Sequence, residues 1–303
     1  MITSPLWLPA TLAAGALQAW RTAVQRRVGR TLSVNAAGLV RYLYGLPLAL
    51  AMAWGYVAFT GHAPHAIDAW FLLFCAAGGL AQILATNLLL MAFAEGNFVV
   101  GTAYSKTEAV QGAIFSVVLL HEQLHWIAWA GIATGVFGVM VLATGGGGPR
   151  ALLRAFGHRA AGYGIASGTL FALTAVAIRR ATIELAMPDP IGAALVALAV
   201  AVTVQTVMQG AYVAWREPEQ LRAVCTSWRI SGQVGLLSSL GSACWFTGFA
   251  SAPVALVRIV GQVEVGFTLA FAHFYLREPL KPNEVAGLLL VATGVVLALF
   301  GAR

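Results

Sequence analysis

Residues 103–145, AYSKTEAVQGAIFSVVLLHEQLHWIAWAGIATGVFGVMVLATG, and residues 259–301, IVGQVEVGFTLAFAHFYLREPLKPNEVAGLLLVATGVVLALFG, decide between them how this chain folds. Laid over one another at a constant shift of 156, they pair Glu108 with Glu264, Phe115 with Phe271, Leu120 with Leu276, Glu122 with Glu278 and Leu124 with Leu280. The same shift pairs Gly131 with Gly287, Gly138 with Gly294, Val139 with Val295 and Gly145 with Gly301. Apolar sequences match one another easily, so the leucines and valines carry little weight. Two glutamates and three glycines in one register point to an internal duplication. Within each copy the three glycines fall seven residues apart, the smooth stripe that lets two helices approach closely in a membrane.

Both copies sit in a chain that needs lipid as its solvent. Hydrophobic residues make up 59% of its 303 positions, charged residues 10%, and its mean hydropathy is +0.81. Soluble domains carry a charged share of about a quarter. A membrane span needs about twenty mostly apolar residues. Ten stretches qualify, near 6–25, 34–58, 69–92, 97–120, 126–144, 160–180, 190–214, 230–250, 253–276 and 283–301. Short turns carrying Gly and Pro join most of them, and the one longer polar connection runs from Trp215 to Arg229. The organisation expected is a first five-helix repeat over 1–145, a linker over 146–159 around the Gly145–Gly148 run, and a second five-helix repeat over 160–303. Because five is odd, the second copy must enter the bilayer from the opposite side. That is the inverted-repeat plan of many secondary transporters, whose site lies near the midplane between the repeats. The fold class expected is all-α and integral to the membrane.

The other compositional signals exclude more than they propose. The net charge of +7 rests almost wholly on arginines gathered between apolar runs, such as Arg26, Arg27 and Arg30, or Arg150, Arg154 and Arg159. There they can meet lipid phosphates, and the charge is too sparse for nucleic acid. Cys75, Cys225 and Cys244 offer no disulfide framework and are read as packing residues. No basic leader or small-residue cleavage site precedes the first apolar run, which is read as a retained helix. No phosphate-binding loop, nucleophile elbow or haem pattern is present, so no cofactor is expected.

The helix-end signatures Leu120-His121-Glu122-Gln123-Leu124 and Leu276-Arg277-Glu278-Pro279-Leu280, each followed by a Gly-rich helix, resemble the Gly-Glu-Arg-Leu turns of the drug/metabolite transporter superfamily and its EamA-type ten-helix members. His121 and Arg277 stand where that family often has Gly. The stretch Val100-Gly101-Thr102-Ala103-Tyr104-Ser105-Lys106-Thr107-Glu108 resembles a bacterial subgroup of the same superfamily. The resemblance covers nearly the whole chain. It implies export or exchange of amino acids or related metabolites, in a bacterial-type inner membrane, with the fifth and tenth helices apart from the central cavity.

Charges inside the spans carry the candidate site. A charge at the bilayer centre costs about 2.5–3.5 kcal/mol even on insertion scales, so such residues face a cavity or a partner. Glu108 and Glu264 fall at mid-span and are repeat equivalents. Around them lie Tyr104, Lys106, Thr107 and Gln111 on the fourth span, and Arg258, Gln262 and Thr268 on the ninth. Lys106 and Glu108, two residues apart, point to nearly opposite sides of a helix, so Lys106 is expected to answer a carboxylate on another helix. One reading has Glu108 and Glu264 carrying a proton or an ammonium group while Lys106 or Arg258 meets a carboxylate, a site matched to a zwitterion. The other has two buried ion pairs that only lock the halves together. Arg41 and Tyr44, in the second span, are further candidates for the site. For Arg41, a cavity or acidic partner and snorkelling remain open, while Arg21 is expected to snorkel. Asn87, Gln205, Gln209 and Trp245 are explained by interhelical hydrogen bonds.

Two rival readings and one conflict remain. His121-Glu122-Gln123-Leu124-His125 is a literal H-E-x-x-H, which on a helix would place two imidazoles for zinc and a glutamate as base, and would make the chain an intramembrane metalloprotease. Its repeat partner keeps the glutamate and neither histidine, and a third ligand is hard to find. A passive channel is the third reading. The expected partners are a small-molecule substrate, lipid and protons, with the chain a monomer or homodimer. Of 18 Lys and Arg, 11 lie after the first, fifth, seventh and ninth spans, which puts the termini outside by the positive-inside rule. The family resemblance implies termini inside.

Overall fold

The computed structural model describes residues 2, 4–64, 67–95, 104–143, 159–276 and 282–301. Residues 144–158, which hold the expected linker over 146–159 except Arg159, residues 96–103, and residues 277–281, which hold the second helix-end signature except Leu276, lie outside the described residues. Every regular element among the described residues is a helix. In chain order they are α1 (Trp7–Val28), α2 (Val34–Leu43), α3 (Leu46–Thr60), α4 (Ala69–Ala94), α5 (Glu108–Leu120), α6 (Trp126–Ala143) and α7 (Arg159–Glu184). There follow α8 (Pro190–Arg216), α9 (Pro218–Thr226), α10 (Trp228–Ser251), α11 (Val254–Gly261), α12 (Glu264–Leu276) and α13 (Pro282–Phe300). Each of the ten expected spans finds its helix or pair of helices. Residues 34–60, 69–92, 159–184, 190–216 and 282–300 are long and apolar enough to cross a bilayer by themselves.

Three spans expected to be continuous are interrupted. The second breaks at Tyr44 and Gly45, where Pro47 in the first turn of α3 has no N–H to give the preceding turn. The fourth, expected over 97–120, turns at Lys106 and Thr107 and resumes as α5 at Glu108. The ninth, expected over 253–276, turns at Gln262 and Val263 and resumes as α12 at Glu264. These last two breaks are repeat equivalents down to their hydrogen bonds. Thr107 N–H reaches back three residues to Tyr104 O (3.2 Å) and Ala109 N–H to Lys106 O (3.3 Å); Val263 N–H reaches Val260 O (3.1 Å) and Val265 N–H reaches Gln262 O (3.0 Å). Such three-residue steps tighten the helix locally and mark a hinge. Thr107 Oγ1 also donates to Tyr104 O at 2.6 Å, competing for a carbonyl the helix would use.

The chain divides into two compact units, Met1–Ile83 with Thr174–Ala252, and Leu84–Leu173 with Pro253–Arg303. Each unit draws on both sequence halves. In the first, α1 lies along α10, and Trp245 Nε1 donates to Gln18 Oε1 at 3.0 Å. Gln205 Nε2 donates to Gln82 Oε1 (2.7 Å) and Gly79 O (3.2 Å), and Gln209 Nε2 to Asn35 O (2.9 Å), so these amides tie helices together as expected. Arg179 donates to Phe249 O (2.8 Å) and Ala250 O (2.6 Å), closing the orphaned carbonyls at the end of α10. Arg21, expected to snorkel, is instead buried.

Asp189 starts α8 by accepting the Gly192 N–H at 2.9 Å, with Pro190 at the first helical position, and also accepts the Tyr56 hydroxyl. Asp189→Ala removes the cap and strands a phenol. The expected result is a loss of about 1–2 kcal/mol, read as a lower unfolding midpoint in detergent.

In the second unit, α6 and α13 meet through the glycine stripes. A Cβ at Gly131 would lie 2.6 Å from Gly294 O and Ala298 N, and one at Gly138 would lie 2.8 Å from Gly287 O. A Cβ at Gly301 would lie 2.5 Å from Ala128 N. Contacts therefore climb one helix as they descend the other. The two helices are antiparallel, as equivalent members of inverted repeats must be. Ala109, Ala113, Ile132, Ala255, Ile259 and Ala298 form the core beside them.

Candidate functional site

The second unit gathers the intramembrane charges at the two equivalent breaks. Lys106 Nζ meets Glu264 Oε2 at 2.5 Å, and Arg258 Nη1 lies 3.4 Å from Glu108 Oε1. Each pair joins a residue of one sequence half to a residue of the other. All four side chains are buried. Two cations and two anions cancel, which is the only arrangement a low-dielectric interior tolerates at modest cost.

Helix geometry explains why the charges sit where they do. Glu108 is the first residue of α5 and Glu264 the first of α12, where the positive end of the helix dipole favours a carboxylate. Arg258 lies in the last turn of α11, where the negative end favours a cation. Breaking each span thus supplies the polar ends that make these charges bearable in lipid. The neighbouring helix α7 contributes through backbone. Arg258 Nη2 donates to Phe171 O at 2.7 Å, and a Cβ at Gly168 would lie 2.7 Å from Ser105 O. Neither position carried a signal in the sequence, since a carbonyl has no residue signature and a glycine among small helical residues is commonplace.

The remaining candidates separate into three groups. Tyr104 is buried and Thr107 half-buried in the turn before α5, with Gln111 Nε2 donating to Thr107 Oγ1 at 3.1 Å and Thr268 Oγ1 donating to Glu264 O at 3.0 Å. Gln262, the repeat equivalent of Lys106, is buried with neither amide atom hydrogen-bonded, and it packs against α6, where a Cβ at Gly135 would lie 2.7 Å from its Oε1. Arg41 and Tyr44 belong to the first unit. Arg41 is buried in the last turn of α2, and the Tyr44 hydroxyl donates to Val224 O at 3.0 Å.

The H-E-x-x-H segment lacks the conformation its zinc reading requires. Residues 121–125 form no helix, and His121 holds a left-handed backbone at φ 56° that ends α5. Two imidazoles spaced for one helix face therefore do not share one. Glu122 Oε2 instead accepts the Val254 N–H at 3.0 Å, an orphaned donor at the start of α11. The glutamate of the first helix-end signature is a cap for the broken helix of the opposite repeat.

Ten spans in two inverted five-helix repeats, with charges clustered at broken helices, define a multi-pass membrane protein of the transporter type. The EamA-like transporter family matches residues 5–144 and 158–300, and the chain belongs to it. Comparison with curated proteins finds no match. A solved crystal structure of a protein superposes with a TM-score of 0.70 at 16% identity, covering 97% of this chain and 97% of that one, a likeness of fold.

Proposed function

We propose that the protein is a secondary active transporter, an exporter or exchanger, of a small polar metabolite of the amino-acid class in a bacterial inner membrane. The observation that carries this reading is the pair of buried, cross-repeat ion pairs at equivalent helix breaks. A zwitterion brings one carboxylate and one ammonium, so it can replace internal partners without leaving a net charge in the low-dielectric interior. Lys106 and Arg258 would meet its carboxylate, and Glu108 and Glu264 its ammonium. Paired hinges at the breaks suit alternating access, in which one bundle rocks against the other around the site. Proton coupling would run through Glu108 or Glu264. No chemical step is assigned to any residue, and the chain is read as no enzyme.

Purified protein in vesicles, assayed for counterflow of labelled amino acids, tests this. The parent is expected to show saturable counterflow, and Glu108→Gln and Glu264→Gln each to lose it by about tenfold or more, the effect of about 1.4 kcal/mol. Parent-like counterflow in both variants would remove the two glutamates from the site. Flux that neither saturates nor exchanges would favour the channel reading.

A further inference from the structure

The connection from α8 to α10 is more than a loop. α8 leaves the membrane at Arg216 and α10 begins at Trp228, so the short helix α9 between them lies at the membrane surface. One side of this connection is tied to the protein. Val224 is buried and its carbonyl takes the Tyr44 hydroxyl; Glu217, just ahead of α9, accepts the Ser33 hydroxyl and, at 2.7 Å, the Asn35 amide. Arg216, Arg222 and Arg229 of the same connection are exposed. With Glu217 held by Ser33 and Asn35, Glu219 is the one exposed acid in the connection, so three arginines less one glutamate leave its exposed side chains at +2.

Two exposed tryptophans flank the helix, Trp215 at 76% and Trp228 at 58%. The Arg216 guanidinium lies 5.0 Å from the Trp215 ring centroid, and that of Arg229 lies 5.5 Å from Trp228. Indole rings settle at the headgroup level, and guanidinium groups take phosphate oxygens through paired N–H donors.

We propose that this Arg–Trp face is a docking surface for anionic phospholipid headgroups, and that lipid held there steadies the interruption of the second span. The link is short. Tyr44, bonded to α9 through Val224 O, is itself the residue at which α2 ends, and Ser239 of α10 donates to the adjoining Gly45 O at 2.7 Å. Lipid that pins α9 therefore also pins the break at Tyr44 and Gly45.

Cys225 is exposed on α9 and reports on its outer face. With Cys75 and Cys244 replaced by serine, a soluble maleimide would be reacted with protein in nanodiscs of phosphatidylcholine, or of phosphatidylcholine with about one third phosphatidylglycerol. Anionic lipid is expected to slow labelling several-fold in the parent, and high salt to restore the rate by screening. Arg216→Gln/Arg222→Gln/Arg229→Gln is expected to label at the same rate in both lipids. Equal parent rates in the two lipids, or slowing that survives the triple substitution, would overturn the docking surface. For the link, the unfolding midpoint of the parent is expected to rise with phosphatidylglycerol. In Tyr44→Phe that rise should be lost while Cys225 stays protected. A Tyr44→Phe protein that keeps the parent's rise would overturn the link alone.

Discussion

Replacing Lys106 with methionine is expected to destabilise the protein by about 3–5 kcal/mol, because it takes the ammonium group at 2.5 Å away from the buried Glu264 carboxylate. The pair is close, at 2.5 Å, and both side chains are almost sealed from solvent. The desolvation of that carboxylate is then offset by one close cation fewer. Lys106→Met/Glu264→Met removes both charges and fills similar volume, so it is expected to regain most of the loss. Unfolding midpoints of the parent, both single variants and the double form a cycle whose coupling energy isolates the pair. A Lys106→Met protein as stable as the parent would mean that the ion pair contributes nothing to the fold. The cycle also separates the two readings of the cluster. A double variant that folds and still performs parent-like counterflow makes Lys106 and Glu264 a lock between repeats, whereas one that folds without transport places them in the transport cycle.

Gly294→Val is expected to cost about 3 kcal/mol or more and to leave little protein surviving extraction in detergent. A Cβ at Gly294 would lie 2.5 Å from Gly135 N and 2.6 Å from Gly131 O. Both neighbours are helical backbone, which cannot swing aside as a side chain can, so α6 and α13 would have to part. Gly162→Ala in α7 is the control, since nothing lies within 4 Å of its Cβ position. There alanine is expected to be neutral or to stabilise by about 0.5–1 kcal/mol through helix propensity. Thermal aggregation of detergent-solubilised protein, followed by size-exclusion chromatography, ranks the two. Equal behaviour would show that the glycine stripe is not the contact holding these helices.

Much of this architecture was readable without coordinates. Ten apolar stretches of span length have no soluble alternative, because so apolar a chain must keep its backbone hydrogen bonds inside helices in lipid. The shift of 156 between Glu108 and Glu264 announced the duplication, and an odd number of spans per copy made the inversion unavoidable. The glycines seven apart marked a smooth face on each of α6 and α13 suited to close packing, though not which helix it would meet. Lys106 was readable as needing a carboxylate on another helix, since its own neighbour Glu108 points away from it.

What lay beyond the sequence depends on contacts between distant residues. The breaks at Lys106–Thr107 and Gln262–Val263 leave no Pro or Gly pair as a marker in both copies, and the bland hydropathy of the surrounding residues suits a continuous helix equally well. The rival reading of Glu122 as the base of a zinc motif stayed open because spacing alone cannot say whether residues 121–125 are helical; its carboxylate is a cap only once the start of α11 is brought against it. Lys106 chooses Glu264, Arg258 leans on Glu108 and the Phe171 carbonyl, and Tyr44 reaches Val224 for one reason: a buried polar group pairs with whatever the packing presents. Composition and periodicity by themselves determined that the chain spans the membrane ten times in two opposed copies, because those follow from local hydropathy and counting. Which charge answers which was decided only when the two copies packed together.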